Sequence, residues 1–119
     1  MRLRKTAEAP ARIVLIPDRK MIKADGSDLS FVTVKVVDKD GTVVPAADNL
    51  IKFEVNGAGS IAAVDNGNQI SHEGFKGKQR KAFHGLALAI VRSKQRRGQI
   101  FLKATSDNLQ PAAVVINTR

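Results

Sequence analysis

Apolar and polar residues alternate along most of the chain in short runs that are separated by Gly, Pro, Asn and Asp. This period of two is typical of strands with one buried face, because successive side chains of a strand point to opposite sides of the sheet. The pattern predicts strands over residues 12–16, 30–38, 50–56 and 60–64. Further buried faces are predicted at Leu86, Leu88 and Ile90, at Ile100, Leu102 and Ala104, and at Val114 and Ile116. About seven strands result, and helical spacing is hardly visible.

The second and third strands have the clearest core faces. These faces are Val32, Val34 and Val36, and Ile51, Phe53 and Val55. The opposite faces carry Phe31, Thr33, Lys35 and Val37, and Lys52 and Glu54. Turns are predicted at Ala24-Asp25-Gly26, Asp38-Lys39-Asp40-Gly41 and Asp65-Asn66-Gly67-Asn68, since Gly, Asn and Asp accept the backbone angles of tight turns.

Two sheets packed face to face bury such alternating strands, whereas a single open sheet leaves the apolar faces exposed. The sequence therefore predicts an all-β fold, a β-sandwich of two antiparallel sheets. The chain has no Cys and no Trp, so the residues that mark antibody domains are missing and the prediction is the looser immunoglobulin-like class. We expect one domain over residues 10–119 and interpret residues 1–9, which are charged and precede a strand directly, as a linker or tag remnant.

Length and composition exclude several function classes. A barrel of eight strand–helix units needs about 250 residues and does not fit in 119. No apolar run approaches the ~20 residues of a membrane-spanning helix, so we expect no membrane partner. Without cysteine there is neither a disulfide framework nor a thiolate metal site.

The net charge of +9 raises the question of an anionic partner. Residues 74–97 contain no acidic residue and eight basic ones, namely Lys76, Lys78, Arg80, Lys81, Arg92, Lys94, Arg96 and Arg97. These cations are interpreted either as a solvated face or as a docking surface for acidic groups of another domain. Nucleic-acid binding is not expected, because no interleaved aromatic residues, recognition helix or zinc spacing accompany the charge.

Several segments resemble the bacterial immunoglobulin-like domains of invasin and intimin. They are residues 24–26 with 31–38, 53–61, 85–91, Gly98 and 103–105. A second, irregular passage resembles the accessory β-sandwich of glycoside hydrolase family 2 β-galactosidases. It consists of Val64-Asp65-Asn66-Gly67-Asn68, Ser71-His72-Glu73, Phe75-Lys76-Gly77 and Arg80-Lys81-Ala82-Phe83.

The resemblance covers residues 10–116 and implies a bacterial parent enzyme that hydrolyses β-linked galactosides with two glutamates on a separate barrel domain. It implies that this chain is a non-catalytic accessory domain for structural support and interdomain docking in carbohydrate metabolism, with neighbouring domains as its partners. Export to the periplasm or cell surface is also implied. The alternative is a carbohydrate-binding module or an adhesin-type spacer.

No catalytic residue, metal ligand or cofactor is expected in this chain. Glu54 lies on an exposed strand face, and no pattern brings Glu73 near enough for a hydrolytic pair. Asp65, Asn66 and Asn68 offer oxygens to a calcium ion, but they include one carboxylate and suit a turn better. His72 and His84 have no third zinc ligand nearby.

Residues 69–84 show no clear period and predict a long exposed loop that ends in a short edge strand. An irregular loop of this length is a candidate for docking or glycan contact. The candidate residues are Asp65, Asn66, Asn68, His72, Phe75, Arg80 and Lys81. Tyr and Trp are absent, so Phe75 and Phe83 are the loop's candidates for stacking on a sugar, and we favour a role in anchoring the loop.

Overall fold

Nine strands make up the regular structure of residues 8–65 and 79–119, which are the residues that the computed structural model describes. In chain order they are β1 (Arg12–Pro17), β2 (Met21–Ile22), β3 (Leu29–Val37), β4 (Leu50–Gly57), β5 (Gly59–Asp65), β6 (Gln79–Lys81), β7 (Leu86–Ser93), β8 (Gly98–Thr105) and β9 (Ala112–Thr118). The predicted strands are all present, including the short edge strand β6. The two-residue strand β2 is an addition. Within these residues no helix is long and apolar enough to cross a membrane.

The strands form two sheets that pack as a β-sandwich. The four-stranded sheet has the order β1-β3-β7-β5, and the five-stranded sheet has the order β2-β9-β8-β4-β6. Every pairing is antiparallel except that of β2 with β9, which is parallel. The all-β sandwich prediction is confirmed, with this one parallel pairing as a refinement.

The core lies between the two sheets, where the alternation of most strands was predicted correctly. Inward-facing residues of β3, β4, β8 and β9 are buried as expected, namely Val32, Val34, Val36, Ile51, Phe53, Ile100, Leu102, Ala104 and Ile116. Val55 and Val114 are partly buried against this cluster. Burial of aliphatic side chains on both inner faces is the main stabilising contribution to a sandwich of this type.

The predicted buried face of β7 is wrong. Ala87, Ala89 and Val91 face the core, whereas Leu86 is 40% exposed and Leu88 is half-buried on the outside. The cause is the register with β3, in which Val34 pairs with Ala87 and Val32 with Ala89. Residues directly opposite each other in a sheet point to the same side, so the inward valines of β3 carry the alanines of β7 inward with them.

The N-terminal part of the chain crosses from one sheet to the other between β1 and β2. At the crossing, the carboxylate of Asp28 accepts two hydrogen bonds of 2.8 Å from the Arg19 guanidinium. It also accepts backbone N–H groups of Lys23 at 2.8 Å and Leu29 at 3.0 Å. The guanidinium and these N–H groups hold the pKa of Asp28 well below its usual range. Asp28 therefore fixes the crossing segment to the start of β3.

The start of β1 and the segment from residue 20 to residue 24 lie parallel to residues 110–119, which include β9. The Gln110 N–H donates to the Ala11 carbonyl at 3.0 Å, and the Asn117 N–H donates to the Lys20 carbonyl at 2.7 Å. The last bond of the series is donated by the Ala24 N–H to the Arg119 carbonyl at 2.8 Å. The first and last parts of the described chain are therefore held side by side.

The predicted turns that contain Gly26 and Gly41 are present, and both glycines have a left-handed backbone, with φ of 81° and 87°. The buried Asp38 carboxylate accepts the N–H groups of Asp40 at 2.9 Å and Thr42 at 3.0 Å, which closes the turn after β3. Gly57, with φ of 92°, lies where the chain leaves β4 for β5, and a Cβ there would collide with the Gln99 carbonyl oxygen.

Candidate functional surfaces

Only part of the candidate loop belongs to the residues that the structure describes. Asn66, Asn68, His72 and Phe75 lie outside the described residues, and so do Glu73, the remainder of the predicted turn after Asp65, and the basic residues Lys76 and Lys78. The docking or glycan-contact role of these residues stays a prediction. Asp65, Arg80 and Lys81 are described, because they belong to strands β5 and β6.

Arg80 lies inside the sandwich, whereas the sequence predicted that it lies in an exposed loop. It is 1% exposed, and its Nη2 donates a hydrogen bond of 3.0 Å to the carbonyl oxygen of Val64. Arg80 belongs to the edge strand β6 of the five-stranded sheet, and Val64 belongs to the edge strand β5 of the other sheet. The guanidinium therefore joins the edges of the two sheets, and the side chain is not available as a surface contact in this structure.

Asp65 and Lys81 belong to different faces of the sandwich. Asp65 pairs with Leu88 and shares its outer side of the four-stranded sheet. Lys81 pairs with Leu50, which is 36% exposed on the outer side of the five-stranded sheet. Their positions therefore do not form one common contact surface, although each remains a candidate residue by itself.

The basic residues of the predicted cluster are spread over the molecule. Lys81 lies beside Leu50, where β4 begins, whereas Arg96 donates a 2.8 Å hydrogen bond to the carbonyl of Gly57, where β4 ends. The exposed cations Arg92, Lys94 and Arg97 lie near Arg96 in the chain. Among the described residues, the cations thus occupy opposite ends of the sandwich and do not form a single basic face.

Glu54 is exposed on the outer side of the five-stranded sheet, as predicted, and its cross-strand partner is Lys103. Searching residues 8–65 and 79–119 finds no group of three His, Asp or Glu side chains that could hold a metal ion. The ring of Phe83 is half-buried and packs on His84 with 4.1 Å between the ring centroids. Phe83 thus contacts its own neighbour in the chain rather than standing free as a platform.

The outer side of the four-stranded sheet carries a group of apolar residues that we call the apolar face. It consists of Val14, Ile16, Phe31, Leu86, Leu88 and Ile90. Ile16 is 45% exposed, and Phe31 and Leu86 are each 40% exposed. An outer sheet face of a sandwich is ordinarily polar, so this surface differs from the usual alternation.

The outer side of the five-stranded sheet is mixed. Phe101 is 47% exposed there, with Asn56 on one neighbouring strand and Val115 on the other. Two further amides, Gln99 and Asn117, form the next cross-strand pair. An exposed ring beside amide side chains is the arrangement that accepts the apolar side of a sugar ring and its hydroxyl groups.

Sequence reasoning missed both surfaces, although part of the signal was present. Phe101 alternates with Ile100 and Leu102, which were predicted to be buried, so its outward direction follows from the period of two. The apolar face was missed because β7 is apolar on both sides. The prediction assigns its larger residues, Leu86, Leu88 and Ile90, to the buried side.

A family model described as glycoside hydrolase family 2 C-terminal domain 5 matches residues 13–115. The β-galactosidase BoGH2A of Bacteroides ovatus is 49% identical over 112 residues, which are 94% of this chain and 13% of that protein. The chain therefore spans a small part of the length of this curated relative.

Solved structures agree with the fold. A glycosyl hydrolase family 2 member from Bacteroides cellulosilyticus superposes with a TM-score of 0.93 and 35% identity over 95% of this chain and 15% of that one. A C-terminal 282-residue fragment of intimin, solved in complex with the intimin-binding domain of its translocated receptor, gives a TM-score of 0.61 at 15% identity. It covers 91% of this chain and 33% of the fragment, and it supports the immunoglobulin-like fold alone.

Proposed function

Because this chain belongs to the glycoside hydrolase family 2 C-terminal domain 5 family, we propose that it is a non-catalytic accessory domain of a β-galactosidase-like hydrolase. Its role is to support and dock onto the neighbouring domains of the same polypeptide. The observation that carries this proposal is that almost the whole chain matches a minor part of a much longer β-galactosidase. A domain that forms a minor part of a long polypeptide is adjoined by other domains of the same protein.

The chemistry of the described carboxylates supports a non-catalytic role. Retaining and inverting glycosidases use two carboxyl groups about 5–10 Å apart across the scissile bond. The exposed Glu54 faces a cation, Lys103, on the adjacent strand. The Asp28 carboxylate is engaged by a guanidinium and two backbone N–H groups, so it acts as a structural acceptor.

The experiment that tests the proposal is a domain exchange in BoGH2A. The 112 aligned residues are replaced by this chain, and the hybrid is compared with a version that lacks the segment. We expect the isolated chain to leave a nitrophenyl β-galactoside intact, and the hybrid to hydrolyse it with a melting temperature above that of the deleted version. Support by the domain raises stability because the neighbouring domains bind its folded state.

Two results would contradict the proposal. One is hydrolysis by the isolated chain that disappears in the Glu54→Gln variant, which would make the chain catalytic. The other is a hybrid whose activity and melting temperature equal those of the deleted version, which would remove the supporting role.

Carbohydrate binding is the second candidate function, and the exposed ring of Phe101 favours it. The ring lies on a flat sheet face beside Asn56, and Gln99 and Asn117 lie one cross-strand pair away. Titration of the isolated chain with β-galactosides and longer β-linked glycans tests it. Saturable binding that Phe101→Ala abolishes and Phe31→Ala preserves would establish a binding module. Equal binding by both variants would exclude this face.

A further inference from the structure

We propose that the apolar face is the surface on which a neighbouring domain of the same polypeptide docks. This inference rests on the proposed function, because it requires that further domains are linked to this chain. It assigns the docking to the outer side of the four-stranded sheet, and to Leu86, Leu88 and Ile90 of β7 in particular, rather than to the loop that the sequence suggested.

The apolar face spans the sheet from β1 to β7, with Thr33 and Lys35 of β3 between the apolar residues of two rows. One cross-strand row runs from Ile16 through Thr33 to Leu88. The next row joins Phe31 to Ile90 and Ala63. The third joins Val14 to Lys35 and Leu86. Each row contains apolar side chains from at least two strands, so the exposed groups form one surface rather than scattered single residues.

The size of the surface selects the kind of partner. Three strands about 4.8 Å apart and three same-face rows about 6.8 Å apart cover about 300 Å². An occupant of equal size gives about 600 Å² in total, which lies at the lower end of the range of interfaces between domains of one chain, about 600–1,500 Å². A stable complex of separate molecules buries about 1,200–2,000 Å², so a second copy of this chain fits the surface less well.

Covalent linkage makes a surface of this size sufficient for the docking of a neighbouring domain. A tethered partner is present at an effective concentration in the millimolar range, so weak contacts keep it docked. β1 is an edge strand of the four-stranded sheet and contributes Val14 and Ile16 to the apolar face. A neighbouring domain that precedes β1 in the polypeptide would therefore be tethered at the edge of this face and is the proposed occupant.

Charged residues within and beside the apolar face define the chemistry of the occupant. Lys35 lies between Val14 and Leu86, and the exposed Arg92 lies one position beyond the Phe31 and Ile90 row. Asp65 borders Leu88 at the opposite edge. The matching surface is largely apolar, with acidic side chains facing Lys35 and Arg92.

The absence of cysteine from the chain gives a direct test. Leu86→Cys reports on the apolar face, and Val115→Cys is the matched control, since Leu86 is 40% and Val115 38% exposed on opposite outer faces. Each variant is labelled with a maleimide, both as the isolated chain and within the BoGH2A hybrid. Labelling rates are read from the peptide that contains the new cysteine, so that cysteines of the host do not interfere.

We expect Leu86→Cys to react at least about tenfold more slowly in the hybrid than in the isolated chain. Val115→Cys should react within about twofold of the same rate in both. A tenfold lower labelling rate corresponds to a free energy of about 1.4 kcal/mol for opening the interface. Equal rates for Leu86→Cys in the two proteins would overturn the docking surface.

The remaining outcomes separate this inference from the proposed function. Equal Leu86→Cys rates in a hybrid that is active and stabilised overturn the docking surface and leave the accessory role intact. A hybrid that behaves like the deleted version removes the accessory role itself. Labelling of the isolated Leu86→Cys chain that slows as its concentration rises, with a dimer in sedimentation, makes a second copy the occupant and also overturns the inference.

Discussion

At the residue scale, Arg80 is a charged side chain placed where a sandwich ordinarily has aliphatic residues. Long cationic side chains cover apolar surface with their stems, and a guanidinium that is buried needs acceptors for its donors. The Val64 carbonyl is one such acceptor, on the opposite sheet. Arg80 is therefore a hydrogen-bonded cross-link between the edges of the two sheets.

Replacing Arg80 by Met should lower the free energy of unfolding by about 2 kcal/mol, because the stem volume is kept while a buried carbonyl loses a donor. Urea denaturation monitored by circular dichroism measures this change. Gln79→Met on the same strand is the matched control, and a change within about 0.5 kcal/mol is expected for that exposed position. Equal effects of the two substitutions would contradict the cross-link.

Asp28 makes stability dependent on pH. Its pKa is held well below the usual range, first by the Arg19 hydrogen bonds and then by the Lys23 N–H. In the unfolded chain an Asp has a pKa of about 3.9. The folded state therefore binds fewer protons, and the stabilisation is fully present above about pH 4 and is lost as the pH falls below that value.

The measurement is the free energy of unfolding between pH 6 and about pH 2.5. We expect Asp28→Asn to lower stability at neutral pH and to flatten the acid-dependent loss. Arg19→Gln should flatten it partly, since the backbone N–H groups still favour the carboxylate. An Asp28→Asn protein that loses stability with acid as steeply as the parent would contradict this assignment. Asp25, whose pKa is lowered by the backbone N–H groups of Ser27 and Asp28, contributes a remaining slope in both variants.

At the element scale, the sequence predicts most strands correctly because each has one clearly apolar side. Val32, Val34 and Val36 in β3 alternate with Lys35 and other residues that tolerate solvent. β7 lacks this contrast, since Leu-Ala-Leu-Ala-Ile-Val is apolar at every position. The period of two then shows that two faces exist but does not select the buried one, and the register with β3 makes that choice.

Two features that the sequence did not predict depend on contacts between residues that are distant in the chain. β2 has two residues, and its parallel pairing with β9 joins the beginning of the chain to its end. The burial of Arg80 depends on Ile51, its partner in β4, pointing inward. Neither feature leaves a local pattern, so sequence reasoning placed Arg80 in an exposed loop.

The orientation of β7 can be tested by paired substitutions. Ala89→Leu should lower the free energy of unfolding by about 1–3 kcal/mol, because added methylene groups enter a filled core. Leu88→Ala should cost less than about 1.5 kcal/mol in the isolated chain, since Leu88 is half-buried on the outer side. The reverse orientation predicts the reverse order, with a loss of about 2–5 kcal/mol for Leu88→Ala. Urea titration of both variants decides between them.

At the scale of the whole molecule, the sandwich is held along both lateral edges by different means. On one side the chain itself passes from the four-stranded to the five-stranded sheet between β1 and β2. On the other side Arg80 spans β6 and β5. The two outer faces also differ, since one is largely apolar and the other mixes Phe101 with amides and charges. The outer surfaces of the two sheets therefore differ in chemistry.

The parallel pairing of the first and last segments also sets the mechanical behaviour of the domain. Pulling the two ends of the chain apart slides residues 11–13 and 20–24 along residues 110–119, so the hydrogen bonds at Ala11, Lys20 and Ala24 bear the load together. Force applied between positions 97 and 119, at one end of the antiparallel β8–β9 pair, would instead break bonds one after another. Single-molecule stretching should therefore give a higher rupture force for the first geometry. A force that reaches the domain through the two ends of the chain would therefore meet a greater mechanical resistance than a force applied across the β8–β9 pair.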